Sequence, residues 1–172
     1  MTVYDVFNGD ADGICALLQL RHAEPVQSQL ITGVKRDIKL LTQVDAVSGD
    51  QVNVLDVSMD KNKADVLRIL DAGASVFYCD HHVAGDIPSH PNLAALINPA
   101  ADVCTSLLIN GRLQGALSHW AIVGAFGDNL KNSAQALART TDMTHEQLAL
   151  LENLGIYINY NGYGASLADL HF

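Results

Sequence analysis

Short apolar runs alternate with helix-like segments through the first part of the chain. The run VYDVF (3–7) predicts a strand, and DGICALLQLRHA (12–23) predicts a helix behind it. VQSQLITG (26–33) predicts a second strand and DIKLLTQV (37–44) a second helix. QVNVLDVS (51–58) reads as a third strand, followed by KADVLRILDAG (63–73), a helix closed by a C-cap glycine, Gly73. SVFYC (75–79) and LAALIN (93–98) supply a fourth and a fifth strand. From DVCTSLLINGRL onward the pattern is helical throughout, over 102–113, 115–127, 131–139 and 144–160. Strands and helices alternating at this spacing build βαβ units. The expected class is α/β, a mostly parallel sheet flanked by helices with a helical C-terminal part. In such sheets ligands bind beyond the carboxyl ends of the strands. Chemistry is therefore to be sought in the residues just past each strand.

Composition narrows the picture. A chain of 172 residues, 49% hydrophobic and 17% charged, suits one domain with a real core and excludes wholesale disorder. No apolar run approaches the roughly 20 residues of a membrane span, and MTVYDVF lacks the features of a signal peptide. Cys15, Cys79 and Cys104 are scattered without a CxxC, and read as reduced packing thiols of a cytoplasmic protein. The net charge is −9, carried by sixteen Asp and only three Glu. Asp is a poor helix former, favoured at caps, turns and rigid metal sites, so the bias predicts carboxylates at strand ends. Ten basic residues form no stripe, which argues against an extended footprint on duplex nucleic acid. A metal ion is the natural means of meeting an anionic substrate.

Three polar clusters follow three of the strands: NGDADG (8–13), Asp56, and DHH (80–82). Gly9 and Gly13 allow a tight turn that leaves Asp10 and Asp12 in the crevice. Carboxylates so close together do not all stay ionised without a strong cation. With His81 they form a three-carboxylate, one-imidazole set suited to Mn²⁺ or Mg²⁺ ahead of Zn²⁺, Fe²⁺ or Co²⁺. AFGDNL (125–130) adds Asp128 at the end of an apolar helix. Each cluster alone has a plainer reading. DADG makes a turn and N-cap, Asp56 a cap for the helix after residue 60 (a job for which Asp60 is better placed), Asp128 a solvated helix end, and the His pair a capping or core feature. Their succession at strand ends favours the metal site.

NGDADGICAL, the strand-end Asp56, DHH and GDN, in that order, resemble the four motifs of the DHH phosphoesterase superfamily over residues 3 to about 130. RecJ-like exonucleases, nanoRNA and cyclic-dinucleotide phosphodiesterases and family II inorganic pyrophosphatases belong to it. The resemblance implies that Asp10, Asp12, Asp56, His81 and Asp128 bind two Mn²⁺ ions, with Mg²⁺ or Co²⁺ as substitutes. Asp12 and Asp56 would bridge them, and His82 would contact the scissile phosphate. Asp80, read from its place beside the histidines, is expected to orient one of them or a strand-end amide. Family members often carry a histidine upstream of the Asp-x-Asp pair, where this chain has Val6 and Asn8. Asn8 is expected to ligate through its carbonyl oxygen or to cede the place to water. The resemblance also implies a catalytic domain over 1–155. Residues 156–172, with NYNGYG (159–164), would begin a linker to a smaller substrate domain.

Several residues stand open between two roles. Lys35 and Arg36 grip a substrate phosphate or form a surface pair. Thr105 and Ser106 hold an anion at a helix start, or Asp102 simply caps that helix. Asn98 and His119 reach the site or are structural. Tyr157, Tyr160 and Tyr163 stack on bases or form a packing stripe. The function expected from the whole is a metal-dependent phosphoesterase hydrolysing phosphodiester bonds of a short oligonucleotide or cyclic dinucleotide through a metal-activated water. No membrane partner is expected, and a homodimer is compatible with these features. The rivals are a pyrophosphatase or polyphosphatase, and a catalytically weakened DHH domain that binds a nucleotide or a partner.

Overall fold

A computed structural model describes residues 1–164, 166 and 168. The strands are β1 (Val3–Asn8), β2 (Gln29–Gly33), β3 (Gln51–Leu55), β4 (Ser75–Asp80) and β5 (Leu93–Ile97). The helices are α1 (Ala11–Ala23), α2 (Met59–Asp71), α3 (Thr105–Arg112), α4 (Ser118–Gly127), α5 (Lys131–Ala138) and α6 (His145–Asn161). All pairings are parallel and the order is β2-β1-β3-β4-β5. The chain runs outward from β1 to β2, then returns to β3 on the other side of β1. That reversal makes the β1/β3 edge the topological switch point of the sheet.

Side chains alternate along each strand, as a pleated sheet requires. Val6, Val54 and Tyr78 pack with Leu41 and Ile69 on the α2 face, whereas Phe7, Leu55 and Cys79 pack with Leu20 and Ile109 on the face of α1 and α3. Both faces are covered, so the strands read as nearly continuous apolar runs. Asp5 departs from that pattern: it is buried within β1 and held by Arg21, Ser28 and Asn53 at 2.6–2.8 Å. A third apolar cluster lies among the last helices, with Ile122, Ala125 and Phe126 of α4 at its centre. α4 packs against α1, α3, α5 and α6, which is why its sequence is apolar nearly all round. Gly127 and Gly155 let α4 and α6 touch: a Cβ on Gly155 would collide with the Val123 carbonyl and lie 2.9 Å from the Gly127 nitrogen.

Several predicted elements change. The helix expected over 37–44 is a short 3₁₀ turn, Leu40–Gln43. Side chains from α2 bond to carbonyls in and beside it: Asn62 donates to Ile38, and Arg68 donates to Leu41 and Val44. The strand expected from residue 26 begins at Gln29, after Pro25 and after Ser28, whose hydroxyl donates to Asp5. α2 starts at Met59 with Ser58 as its N-cap, so Asp60 falls in the first turn. Ala72 is its C-cap, and Gly73 follows in the left-handed region with φ 87°. α6 continues to Asn161, so a boundary between residues 155 and 156 falls inside a helix. Of the expected linker, residues 165, 167 and 169–172 lie outside the described residues. No helix among the described residues is long and apolar enough to cross a membrane.

Candidate metal centre

The turns after β1, β3 and β4 converge at the switch point and meet the end of α4. They line a cleft of about 350 Å³ that includes Asn8, Asp10, Asp56, His81, His82 and Asp128.

Asp10 and Asp12 combine structural and site roles. Asp10 is the N-cap of α1, its Oδ1 accepting the amides of Asp12 and Gly13 at 3.1 and 3.2 Å. Its Oδ2 faces Lys35 Nζ at 2.8 Å. Asp12 reaches across the fold to α3, where its two oxygens accept the amides of Thr105 and Ser106, each at 2.7 Å. The helix start is thus held by Asp12 rather than by Asp102, and its amides face a carboxylate of the protein itself. The side chains of Thr105 and Ser106 are buried.

Asp56 follows β3 with φ 58°, a left-handed conformation that Asp tolerates better than most residues, and its amide donates to the Cys79 carbonyl at 3.0 Å. This bend turns the buried carboxylate toward the cleft. His81 donates its Nδ1 hydrogen to the Val103 carbonyl at 3.1 Å. Its Nε2 therefore points at Asp56 Oδ1 (3.4 Å), Asp128 Oδ2 (3.7 Å) and Asp12 Oδ2 (3.9 Å). Behind the neighbouring ring, buried Asp80 holds His82 Nδ1 at 2.7 Å. The second oxygen of Asp80 finds no hydrogen-bond donor among the described residues.

The remaining expected residues separate. Asn8 lines the cleft, but its carbonyl oxygen already accepts the Asp10 amide at 3.2 Å. Asn98 is exposed at the end of β5, hydrogen-bonded to Ala100 and, through its amide, to the Asp80 carbonyl. His119 is exposed in the first turn of α4, at the opposite end from Asp128. Arg36 is exposed and lines a neighbouring recess with Tyr163. The three tyrosines form no packing stripe: Tyr157, Tyr160 and Tyr163 are 69%, 80% and 64% exposed. Sequence reasoning missed Ser58 and Lys61, which line the cleft from the start of α2. Their place just after the third strand was the available signal. Burial raises the thiols of Cys15, Cys79 and Cys104, with Asp12 adding to it in each case, as suits packing residues.

The electrostatics call for a cation. Burial, with repulsion from Asp12, Asp10 and Asp80, pushes Asp56 well above the usual carboxylate range. Burial and Asp12 push Asp128 up to about 6, although His81 opposes them. For Lys35, partial burial works against the ammonium form, but the contact with Asp10 prevails and its pKa is raised. The hydrogen bond to Asp80 raises His82, against partial burial. Two overlapping groups, Asp12–His81–Asp128 and Asp56–His81–His82, each bring three ligand atoms within 4.8 Å of one another. Carboxylate oxygens around an imidazole whose other nitrogen is fixed by a carbonyl are the donor set of a divalent ion. The residues present fit a metal.

No protein-family model and no curated protein matches the chain. Solved structures do. A DHH domain described as a member of the s1p family of ribosomal proteins aligns with a TM-score of 0.65 and 14% identity, over 92% of this chain and 47% of its own. The exonuclease RecJ bound to manganese aligns at 0.59 and 17%, over 94% of this chain and 53% of its own. RecJ in complex with Mn²⁺ from Thermus thermophilus aligns at 0.53 and 15%, over 98% of this chain and 33% of its own. The chain therefore shares the fold of that DHH domain and of RecJ. It spans about half the length of the first two of these proteins and a third of the last.

Proposed function

We propose that the protein is a Mn²⁺-dependent phosphoesterase that hydrolyses phosphodiester bonds of a short oligonucleotide or cyclic dinucleotide. The observation that carries this reading is the fixed tautomer of His81, whose Nε2 faces Asp12, Asp56 and Asp128 within 3.9 Å. These four residues would hold two ions, with Asp10 closing one side. Bound there, such ions would supply a water of lowered pKa for in-line attack and would neutralise charge on the phosphoryl oxygens. The chain's own groups do the rest. Asp80, accepting from His82 Nδ1, favours the imidazolium form, whose Nε2 hydrogen would be donated to the substrate phosphate. Lys61 offers a cation at the cleft wall for a further phosphate, and Lys35 balances Asp10. The manganese named with both RecJ structures supports the choice of ion.

The two lysines in the cleft favour one competing substrate, pyrophosphate or polyphosphate. Turnover with Mn²⁺ of a dinucleotide, a cyclic dinucleotide and pyrophosphate decides between them. The proposal expects a nucleotide phosphodiester to be cleaved fastest. Faster cleavage of pyrophosphate replaces the substrate class, and nucleotide binding with no turnover of any of the three overturns the enzyme reading.

A further inference from the structure

We propose that Tyr163 is a base-stacking platform beside the metal cleft, taking the nucleobase next to the phosphate that enters the carboxylate cluster. The inference rests on the phosphoesterase reading and narrows its substrate to one with at least one base adjoining the scissile bond.

Tyr163 follows the last turn of α6 and is exposed, so it has little packing role. Its place is nonetheless fixed. The Lys35 amide donates to the Gly162 carbonyl at 2.9 Å, and Lys35 Nζ donates to Asn159 Oδ1 at 3.0 Å. Gly162 sits so close to the β1–α1 turn that a Cβ there would lie 3.2 Å from the Gly9 carbonyl oxygen. Lys35 is the link to the cleft. Its Nζ stands 5.6 Å from the centre of the Tyr163 ring and 2.8 Å from Asp10 Oδ2. A single side chain thus spans the distance from aromatic face to carboxylate. The recess beside the ring, about 160 Å³, is lined also by Val34, Arg36 and Gly164, and it shares Lys35 with the cleft.

An aromatic face fixed beside basic residues, continuous with a phosphate-directed site, suits a nucleotide strand: the ring takes the base and the cations face its backbone. Inorganic phosphates have no use for the ring, and the basic wall disfavours an apolar peptide. Stacking is tolerant of base identity, so the platform would select for the presence of a base rather than for its sequence.

The test uses Mn²⁺, a dinucleotide, and two versions of it that each lack one base. Kd and kcat/KM are measured for the wild-type protein, Tyr163→Ala, Tyr163→Phe and Tyr157→Ala. The wild type is expected to disfavour one abasic version by about tenfold, the effect of one lost stack. That preference disappears in Tyr163→Ala and persists in Tyr163→Phe and Tyr157→Ala. If Tyr163→Ala keeps the full preference while hydrolysis proceeds, the platform is wrong and the phosphoesterase reading stands. Binding that depends on Tyr163 without any hydrolysis leaves the platform standing and removes the enzyme. If Tyr163→Ala keeps the preference and instead abolishes self-association in sedimentation, the surface is a protein interface and the proposal fails.

Discussion

His81 and Val103 are joined by a single hydrogen bond, Nδ1 to carbonyl oxygen at 3.1 Å, that decides which ring nitrogen faces the carboxylates. Because Nδ1 carries the hydrogen in the neutral ring, the Nε2 lone pair is left toward Asp56, Asp128 and Asp12. His81→Ala should therefore lower divalent-metal affinity by at least about tenfold in calorimetric titration. Asp56→Asn, which keeps a side chain tolerant of positive φ, should do the same. It should also leave the metal-free protein as stable as the wild type or more so, since a buried carboxyl raised by its neighbours is removed. Unchanged affinity in both variants would dismantle the ligand assignment.

Asp12→Ala has a different signature. It leaves the buried Thr105 and Ser106 amides without their acceptor, at a cost of about 2 kcal/mol or more even with metal chelated. Asp128→Ala, at the partly buried end of α4, removes no such acceptor and should cost much less under the same conditions. Denaturant melts in EDTA separate the two. Equal losses would mean that Asp12 does not hold α3.

The pH dependence of stability should change sign with metal. A carboxyl raised on folding binds its proton more readily in the folded state. Its contribution is therefore present at low pH and is lost as pH rises through the folded value. Asp128, raised from 3.8 to about 6, and Asp56, raised in the same direction, behave in this way. His82, raised above 6.5 chiefly by the hydrogen bond to Asp80, likewise loses its stabilising contribution as pH rises. The metal-free protein should melt at a higher temperature at about pH 5.5 than at about pH 8. With saturating Mn²⁺ the order should reverse, because the ion binds ionised carboxylates and neutral imidazole. The same trend in both states would contradict the site.

Asp80→Asn should lower the His82 pKa toward 6.5, because the charged acceptor at Nδ1 is lost. An NMR titration of the ring reads this directly. A shift of less than a few tenths would mean that Asp80 does not govern His82.

Strand periodicity located all five strands, and the rule that parallel sheets present ligands at their carboxyl ends led to Asp10, Asp12, Asp56 and His81. What the sequence hid is mostly non-local. That Asp12 caps α3 depends on two positions 93 residues apart, and no local pattern carries it. The expected helix at 37–44 shortens to one 3₁₀ turn, and α2 side chains bond to the carbonyls of Ile38, Leu41 and Val44 from 24–27 residues away, contacts that no local pattern carries. Tyr157, Tyr160 and Tyr163 recur every third residue, a spacing that suits packing, yet nothing in that spacing says which face of α6 meets the core. Lys61 went unnoticed because a lysine near a helix start is commonplace until a cleft opens beside it.

Gly127→Ala should be costly in a particular way. The added Cβ would collide with the Ala11 side chain and lie 2.8 Å from the Gly155 carbonyl oxygen, which over-packing places at about 1–3 kcal/mol. Its diagnostic effect is on ion preference: the ratio of Mn²⁺ to Ca²⁺ affinity should shift, as read by competition titration. An unchanged ratio alongside lost stability would confine the role of Gly127 to packing.

Ala11 precedes Asp12 and Gly127 precedes Asp128, so the junction of α1, α4 and α6 lies one residue from two carboxylates of the cluster. Backbone meets backbone at that junction, with almost no side chain to compress. The spacing of Asp12 and Asp128 is accordingly set by a contact with little room to give. In the proposed site, a larger ion would have to be accommodated by residues that carry no charge.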